Sequence, residues 1–365
     1  PHGGLGLLWL AGLAMLSLGL LTSSIVYGNI LRGLIVVGQY AFSYFLLSFV
    51  LVERDPPTLR LFLKSWVFSI VAINALGVAV FSWGFDFTQF SWVTENPEWR
   101  IVSGSGRLQT LLGDPNASAS MIAITLPLLL YLWLTGSVRT LAVVGILPLL
   151  ISAAIMTSSV NGLASNSFSI LLFVVLAMRW RMLIGVLGGA AASIVWFGVW
   201  GTEYLPRAFQ KRVLDAWESG GIEQAGTAQD RLVLFREAMD IIDRNPLIGV
   251  GADQFRLYTS SGLPVHDAYF LVWAEGGLIA LIGWLVLLAT PAVAAILAYQ
   301  ITRLRLPSVA TVTVGGVFAL IAVNNAHMYA RFWLVPLHLG IALSIASWRQ
   351  GTDAAAARKL PEGKA

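Results

Sequence analysis

The chain has 365 residues, of which 57% are hydrophobic and only 12% are charged. Soluble domains carry about 25% charged residues, so this chain has too little polar surface to cover a water-soluble protein of its size. The net charge of +4 and the absence of cysteine exclude a strongly basic nucleic-acid-binding protein, a disulfide scaffold and any thiolate metal site. The composition therefore predicts a polytopic membrane protein.

Apolar segments long enough to cross a bilayer, roughly 20 residues each, recur along the chain. The candidates are 4–26, 29–51, 62–82, 118–135, 140–157, 163–178, 182–201, 268–298, 308–326 and 332–348. Because irregular backbone is excluded from lipid, we predict an all-α transmembrane bundle of about ten spans. The sequence begins at Pro1 rather than Met, so further helices upstream are allowed. Segment 268–298 is overlong, and we expect it to tilt strongly or to extend past the membrane.

Basic residues in one set of short connections determine the expected orientation. They are Arg54, Arg60, Lys64, Arg139, Arg179, Arg181, Arg303 and Arg305. Positively charged loops stay in the cytoplasm, which predicts that both termini are cytoplasmic and that two long polar loops lie on the outer side. In a bacterium this would be an inner-membrane protein with these loops in the periplasm. The resulting organisation is spans one to seven with the outer loop 83–117 (1–201), a large outer loop with short helices (202–267), spans eight to ten (268–348) and a cytoplasmic tail (349–365).

The outer loop 202–267 contains one clear amphipathic pattern, at 230–244. Its apolar positions are 232, 235, 238, 239 and 242. This spacing predicts a helix with one apolar face, and the Asn-Pro pair at 245–246 ends it. The Gly-Val-Gly sequence at 249–251 predicts a turn on the way to the next span.

Arginines on the outer side are informative because topology does not require them there. The outer basic residues are Arg32, Arg100, Arg107, Arg207, Lys211, Arg212, Arg231, Arg236, Arg244, Arg256 and Arg331. Arginine keeps its charge in any environment and binds phosphate through a bidentate fork. Contact with lipid headgroups or local acids is the plainer interpretation for any one of them. Arg231 and Arg331 are the stronger candidates, since each lies at the boundary of a helical element near the membrane.

Two histidines lie at the outer ends of predicted spans, His266 at the eighth and His327 at the ninth. Histidine is the side chain best suited to accept a proton near neutral pH. Positions 266, 269–270, 273 and 277 share one helical face, which predicts a groove lined by His266, Tyr269 and Trp273, with Gly277 allowing close helix approach.

An ionisable residue within a span is costly and faces the interior, as expected of Glu275. The sequence shows no spaced set of metal ligands, no phosphate-binding loop after a strand and no nucleophile elbow. We therefore expect neither a metal nor a nucleotide cofactor.

Three stretches together resemble the O-antigen ligase/polymerase family of bacterial membrane glycosyltransferases. The first contains Arg231-Leu-Val-Leu-Phe-Arg-Glu-Ala, Asn245-Pro-Leu-Ile-Gly-Val-Gly251, His266-Asp267 and Ala274-Glu-Gly-Gly-Leu278. The others are Arg107-Leu-Gln-Thr-Leu-Leu-Gly-Asp-Pro-Asn116, which looks like the start of a helix, and Arg331-Phe-Trp-Leu in the last span. The ligase branch follows its histidine with a small polar residue, nine residues and Gly-x-x-Gly; here Asp267 and Ala280 depart from that pattern. The family's Thr-x-Ser-Arg-Gly is also altered, because Thr157-Ser-Ser-Val-Asn-Gly162 lacks the arginine.

The resemblance implies a metal-independent, inverting transfer of a glycan from undecaprenyl pyrophosphate to an acceptor hydroxyl on the periplasmic side. It implies that His266 is the general base and that Arg231, helped by Arg107 or Arg331, stabilises the pyrophosphate. Further substrate-binding residues would be Asn116, Asp267, Tyr269, Glu275 and His327. The implied partners are the lipid-linked glycan, an acceptor (lipid A–core or a growing polysaccharide) and membrane lipid, with no nucleic acid and no cofactor.

Several functions remain open at this stage. The His-x9-Gly spacing favours ligation to lipid A–core, and the same residues also suit a polymerase, a protein O-glycosylating enzyme or an inactive relative. A lipid-linked sugar transporter belongs to another class. Such a protein would place ionisable residues at mid-bilayer, for which only Glu275 and His338 qualify, and it usually shows paired halves that this sequence lacks.

Overall fold

The computed structural model describes residues 3–83, 101–103, 105–200, 205–214, 228–325 and 331–357. The helices are α1 (Gly3–Val26), α2 (Ile30–Val52, π-helical at Ala41–Leu46), α3 (Pro56–Trp83), α4 (Pro115–Leu134), α5 (Thr140–Met156), α6 (Val160–Leu176), α7 (Trp180–Trp200), α8 (Ala228–Arg244), α9 (Ala268–Thr302), α10 (Arg305–Ala322) and α11 (Leu334–Ala357). Within these ranges, β pairing is limited to one isolated bridge between Val102 and Leu108. The all-α class is confirmed.

A helix lies at each of the ten segments that the sequence predicts as spans. Six helices of the described chain are both long and apolar enough to cross a membrane: α1, α2, α3, α4, α9 and α10. α5 and α6 are apolar but shorter. The total of ten spans therefore stays a prediction. α11 continues to Ala357, past the expected start of the tail at 349.

The chain divides into two compact units. The first consists of Pro1–Phe62 and Asp230–Ala365, and the second of Leu63–Gln229. The first unit therefore contains α1, α2 and α8–α11, and the second contains α4–α7 with most of α3.

In the first unit, α1 and α9 approach each other through small residues. A Cβ atom added to Gly19 of α1 would lie 2.6 Å from the Gly276 oxygen and 2.7 Å from the Ala280 Cβ. A Cβ atom added to Gly283 would lie 2.6 Å from the Gly12 oxygen. In lipid, close van der Waals contact between small residues is a main source of helix association. Close packing of these small residues therefore holds the two helices together along this stretch.

The predicted overlong helix is broken. Gly277 has φ 70° and ψ −172°, outside the helical region, so α9 consists of a short first part and a long second part. A Cβ atom at Gly277 would lie 2.1 Å from the Leu247 oxygen, because the loop before α9 presses against the break. The predicted face through 266, 273 and 277 is thus wrong at both ends, since His266 precedes the helix and Gly277 meets a loop instead of another helix.

The amphipathic helix predicted at 230–244 is confirmed as α8, and Asn245 follows its last residue. The buried face is rotated from the predicted one. Its buried residues are Leu234, Ala238, Ile241 and Ile242. Leu232 and Phe235, which the pattern placed on the apolar face, are 46% and 39% exposed.

In the second unit, polar groups join α4 to α6. Asn166 of α6 donates from Nδ2 to the Ala119 oxygen at 3.0 Å, and Ser169 donates to the Ala123 oxygen at 2.7 Å. Gly162 lets the helices come together, since its Cβ would lie 2.2 Å from that of Ala119. Side-chain hydrogen bonds of this kind between membrane helices contribute about 1 kcal/mol each.

We expect Gly277→Ala to destabilise the protein by about 2 kcal/mol or more, because this φ/ψ region is open essentially only to glycine and the new methyl would collide with the loop. Thermal unfolding of the purified protein in detergent measures the change. Gly188→Ala in α7 is the matched control, since its Cβ would meet nothing within 4 Å. Equal midpoints for the two variants would contradict the described break.

Candidate functional site

The loop before α9 replaces the hydrogen bonds that the break removes. Val250 N–H donates to the Ala274 oxygen at 2.8 Å, and Gly251 N–H donates to the Glu275 oxygen at 2.9 Å. Leu278 N–H, on the other side of the break, donates to the Pro246 oxygen at 3.1 Å. Buried backbone groups without partners are costly, above all in a membrane. The two motifs at 245–251 and 274–278 therefore form one structural element.

Gly249 is required for this element to close. Its φ is 76°, and a Cβ atom there would lie 2.6 Å from the Glu275 oxygen and 2.7 Å from the Gly277 nitrogen. Only a residue without a side chain fits at this position. The turn predicted at 249–251 is confirmed, and the structure adds that its backbone lies against the break.

Glu275 is 2% exposed, as expected for an ionisable residue in a span. Its Oε1 accepts a hydrogen bond from Phe255 N–H at 3.2 Å, at the start of the 3-10 turn Phe255–Leu257. The carboxylate thus holds the loop that follows Gly251. This contact gives Glu275 a positioning role in addition to the substrate-binding role predicted for it.

Asp267 is the N-cap of α9. Its Oδ1 accepts from Tyr269 N–H at 2.8 Å and from Phe270 N–H at 3.1 Å. Asn, Ser and Asp are all favourable N-caps, which explains how Asp occupies the family's small polar position. Burial raises the pKa of Asp267, against the lowering effect of the two backbone hydrogen bonds. His266 directly precedes this cap and is partly buried.

Tyr269 and Trp273 face different partners. The Tyr269 hydroxyl donates to the Ala319 oxygen of α10 at 3.0 Å. Trp273 donates from Nε1 to the Pro246 oxygen at 2.9 Å. Both side chains fasten the start of α9, one to a neighbouring helix and the other to the loop.

Arg231 lies in the first turn of α8 and is partly buried. One turn later, the Phe235 ring packs edge-on against Phe270 of α9, with ring centroids 4.7 Å apart. Phe270 lies in the first turn of α9, four residues after His266. The aromatic contact therefore places the first half of α8 beside the N-terminal end of α9.

The second unit holds a separate polar cluster around Arg107, which is 7% exposed. Arg107 donates from Nε to the Thr157 oxygen at 2.8 Å and from Nη2 to Asn116 Oδ1 at 3.2 Å. Ser159 donates to the same Asn116 oxygen at 2.8 Å. The cluster joins the segment before α4 to the turn before α6.

Two helix N-caps frame this cluster. Asp114 caps α4 by accepting from Ala117 N–H at 2.7 Å, with Pro115 at the first helical position. Ser159 caps α6 by accepting from Gly162 N–H at 3.1 Å. The helix start predicted from the Asp-Pro-Asn sequence is confirmed.

Two cavities accompany these elements. A cavity of about 680 Å³ lies within the second unit, among α4, α5, α6 and α7, and is lined by apolar residues such as Leu126, Leu150 and Val174 together with Asn166. A smaller one of about 220 Å³ lies in the first unit beside His338. The His338 ring stands edge-on to Trp9 at 5.4 Å, and its Nδ1 lies 2.6 Å from the Leu334 oxygen.

Two further residues, His327 and Arg331, are predicted to bind the substrate. His327 lies outside the described residues. Arg331 begins the 3-10 turn Arg331–Trp333, just before α11. In the described part of the chain, no group of three or more His, Asp or Glu side chains could hold a metal ion. Asp253, which the sequence alone does not single out, accepts hydrogen bonds from both Arg32 and Arg256. The presence of these two arginines on the predicted outer side is the one sequence signal that points to it.

We expect Asp267→Asn to keep the N-cap and Asp267→Ala to cost about 1 kcal/mol. Because burial raises the carboxyl pKa in the folded state, that state retains the proton longer, and the free energy of unfolding falls as pH rises just above 3.8. Asp267→Asn removes this fall. Thermal unfolding of the three proteins across the acidic range checks it, and parallel pH profiles for wild type and Asp267→Asn would refute the assignment.

Residues 145–285 match the O-antigen ligase family model. The matched range runs from α5 into α9 and includes α8, the loop that closes on Gly277 and the His266–Asp267 pair. No curated protein matches the chain significantly. Over this range, the match to the family model agrees with the resemblance drawn from the motifs to the O-antigen ligase/polymerase family.

Proposed function

We propose that the protein transfers a glycan from undecaprenyl pyrophosphate to an acceptor hydroxyl, foremost in the ligation of O-antigen to lipid A–core. The family match at 145–285 supports ligase-like or polymerase-like glycan transfer. The observation that carries the finer proposal is the closed element formed by 245–251 and 274–278, because it fixes the N-terminal end of α9 and thereby His266. The reaction runs at the periplasmic face of the inner membrane and needs no metal.

In this mechanism the acceptor oxygen attacks the anomeric carbon, and the bond from that carbon to the pyrophosphate oxygen breaks on the opposite side. His266 accepts the hydroxyl proton as the new bond forms. The pyrophosphate leaves with the bonding electron pair and gains negative charge, which Arg231 stabilises through its permanent positive charge. The contact between α8 and the start of α9 supports this division of roles, since it brings both elements to one place.

Arg107 compensates for the arginine missing from the Thr157–Gly162 sequence. The family carries that arginine at the position of Val160, in the turn that begins α6. Here the Arg107 guanidinium reaches the same turn from a different segment, through its hydrogen bond to the Thr157 oxygen. A positive charge at this turn is thus retained, and we assign Arg107 to donor binding together with Asn116.

The apolar cavity among α4–α7 suits the polyprenyl tail of the donor. Its lining is mostly apolar, with Asn166 and Ser167 as polar exceptions, which suits a hydrocarbon chain better than a sugar. The transporter alternative would rely on two mid-span ionisable groups, and both contact the backbone: Glu275 Oε1 accepts from Phe255 N–H, and His338 Nδ1 lies 2.6 Å from the Leu334 oxygen.

We expect His266→Gln and Arg231→Ala each to lower the rate of glycan transfer by about 10²–10⁴-fold, because one removes the base and the other the pyrophosphate charge. The assay supplies purified protein with a synthetic undecaprenyl-pyrophosphate glycan and EDTA, with mass spectrometry as readout. One reaction contains lipid A–core and another contains donor alone.

Arg236→Ala is the matched control, since Arg236 is an exposed residue of the same helix. Glycan on lipid A–core establishes a ligase, whereas chain growth from donor alone establishes a polymerase. Full activity of His266→Gln, or loss of activity with EDTA, would refute the proposed mechanism.

The compensation by Arg107 has its own test. We expect Arg107→Gln to raise the KM for the donor about tenfold or more, and adding Val160→Arg to restore it in part, because Val160 is 45% exposed at the start of α6 and leaves room for the longer side chain. Steady-state kinetics of both variants against donor concentration measure this. Val160→Leu in the Arg107→Gln background is the control, and equal rescue by leucine would show that charge is not the cause.

A further inference from the structure

Two arginines and one aspartate, none of them assigned to the reaction, form a charged cluster in the first unit. Arg32 of α2 and Arg256 of the 3-10 turn Phe255–Leu257 both donate to Asp253, one to each carboxylate oxygen. The Asp253 side chain is 8% exposed, whereas each arginine side chain is 42% exposed. The carboxylate is thus buried beneath two guanidinium groups that reach solvent.

The position of Asp253 is fixed by its backbone. Its φ is 57°, in the left-handed region, and the preceding Ala252 N–H donates to Ser24 Oγ of α1 at 3.1 Å. The next residues are held by the bond from Phe255 N–H to Glu275. The backbone is therefore held on both sides of Asp253, so its carboxylate orients the two guanidinium groups in advance.

The three side chains together carry a charge of +1, since two cations share one anion. Each guanidinium has five N–H donors in a rigid fork, more than a shared carboxylate can accept. A pair of such forks, oriented by an acid and half exposed, is suited to a phosphate group. The positive-inside rule gives no reason for Arg32 and Arg256 to lie in segments predicted on the outer side.

Apolar side chains flank both arginines. Leu31, next to Arg32, is 72% exposed, and Leu257, next to Arg256, is 74% exposed. Tyr258 is exposed as well. The cluster lies where α1 ends and α2 begins, and both are helices of membrane-spanning length. Basic groups with neighbouring aliphatic and tyrosine side chains at a helix end are typical of the lipid headgroup region.

We propose that Arg32 and Arg256, oriented by Asp253, bind the phosphate group of a membrane lipid. The site uses neither Arg231 nor His266, and the proposal does not depend on the proposed transfer reaction. Its ligand is a phosphate-bearing lipid, held by the two guanidinium groups at the headgroup and by Leu31 and Leu257 along the first part of the acyl chains.

The test measures binding of fluorescently labelled phosphatidic acid to the full chain in detergent micelles. Arg32→Gln and Arg256→Gln are each expected to weaken binding about tenfold. Arg244→Gln, at an exposed position at the end of α8, is the control and is expected to bind as wild type does. Diacylglycerol, which lacks the phosphate, is expected not to compete.

Thermal unfolding establishes that each variant is folded before binding is measured. If Arg32→Gln is unstable, the affinity of Arg256→Gln for phosphatidic acid is the deciding result. In Arg256→Gln, Arg32 still pairs with Asp253. Unchanged affinity in Arg256→Gln, or an equal loss in Arg244→Gln, overturns the site. Competition by inorganic phosphate at the same concentration as the lipid overturns the assignment to a lipid ligand.

Discussion

The architecture around the candidate site depends on the interruption of α9 and on the loop that supplies the missing backbone hydrogen bonds. At Gly277 the hydrogen bonds of α9 stop, and the backbone of 246–251 takes their place on both sides of the gap. An unpaired amide or carbonyl in lipid would cost several kcal/mol, so the break and the loop can exist only together. This dependence holds the loop against α9 and sets the position of the helix start, where His266 and Asp267 lie.

The sequence was sufficient for features that follow from local chemistry. Long apolar runs predicted the helices, the Asn-Pro pair predicted the end of α8, and Asp114-Pro115 predicted the start of α4. Features that depend on contacts between residues far apart in the chain could not be predicted from the sequence. Nothing near Gly277 in the sequence says that a loop thirty residues away would fit against it, and the buried face of α8 was misjudged because packing, rather than period alone, selects it.

The contacts seen in the structure explain the departures from the family pattern. Asp267 caps α9 as the usual small polar residues do. Ala280 is larger than the expected glycine, and Gly19 of α1 provides the space for its methyl group. The Arg107 guanidinium donates to the Thr157 oxygen, in the turn at which the arginine is missing. In each case a physical requirement (a capping oxygen, a close helix contact, a positive charge) is retained while the residue that meets it has changed.

The fit between α1 and α9 bears on where a foldable fragment of this protein can be cut. The region recognisable as O-antigen ligase, 145–285, excludes α1 altogether. Yet α1 contributes Gly12 and Gly19 to the contact with α9, and its Ser24 accepts the Ala252 N–H in the loop. Expressed alone, the recognisable region would expose a row of small residues to lipid and leave that amide without its acceptor. The range that matches the family model is therefore a different stretch of the chain from the compact unit to which α1 and α9 belong.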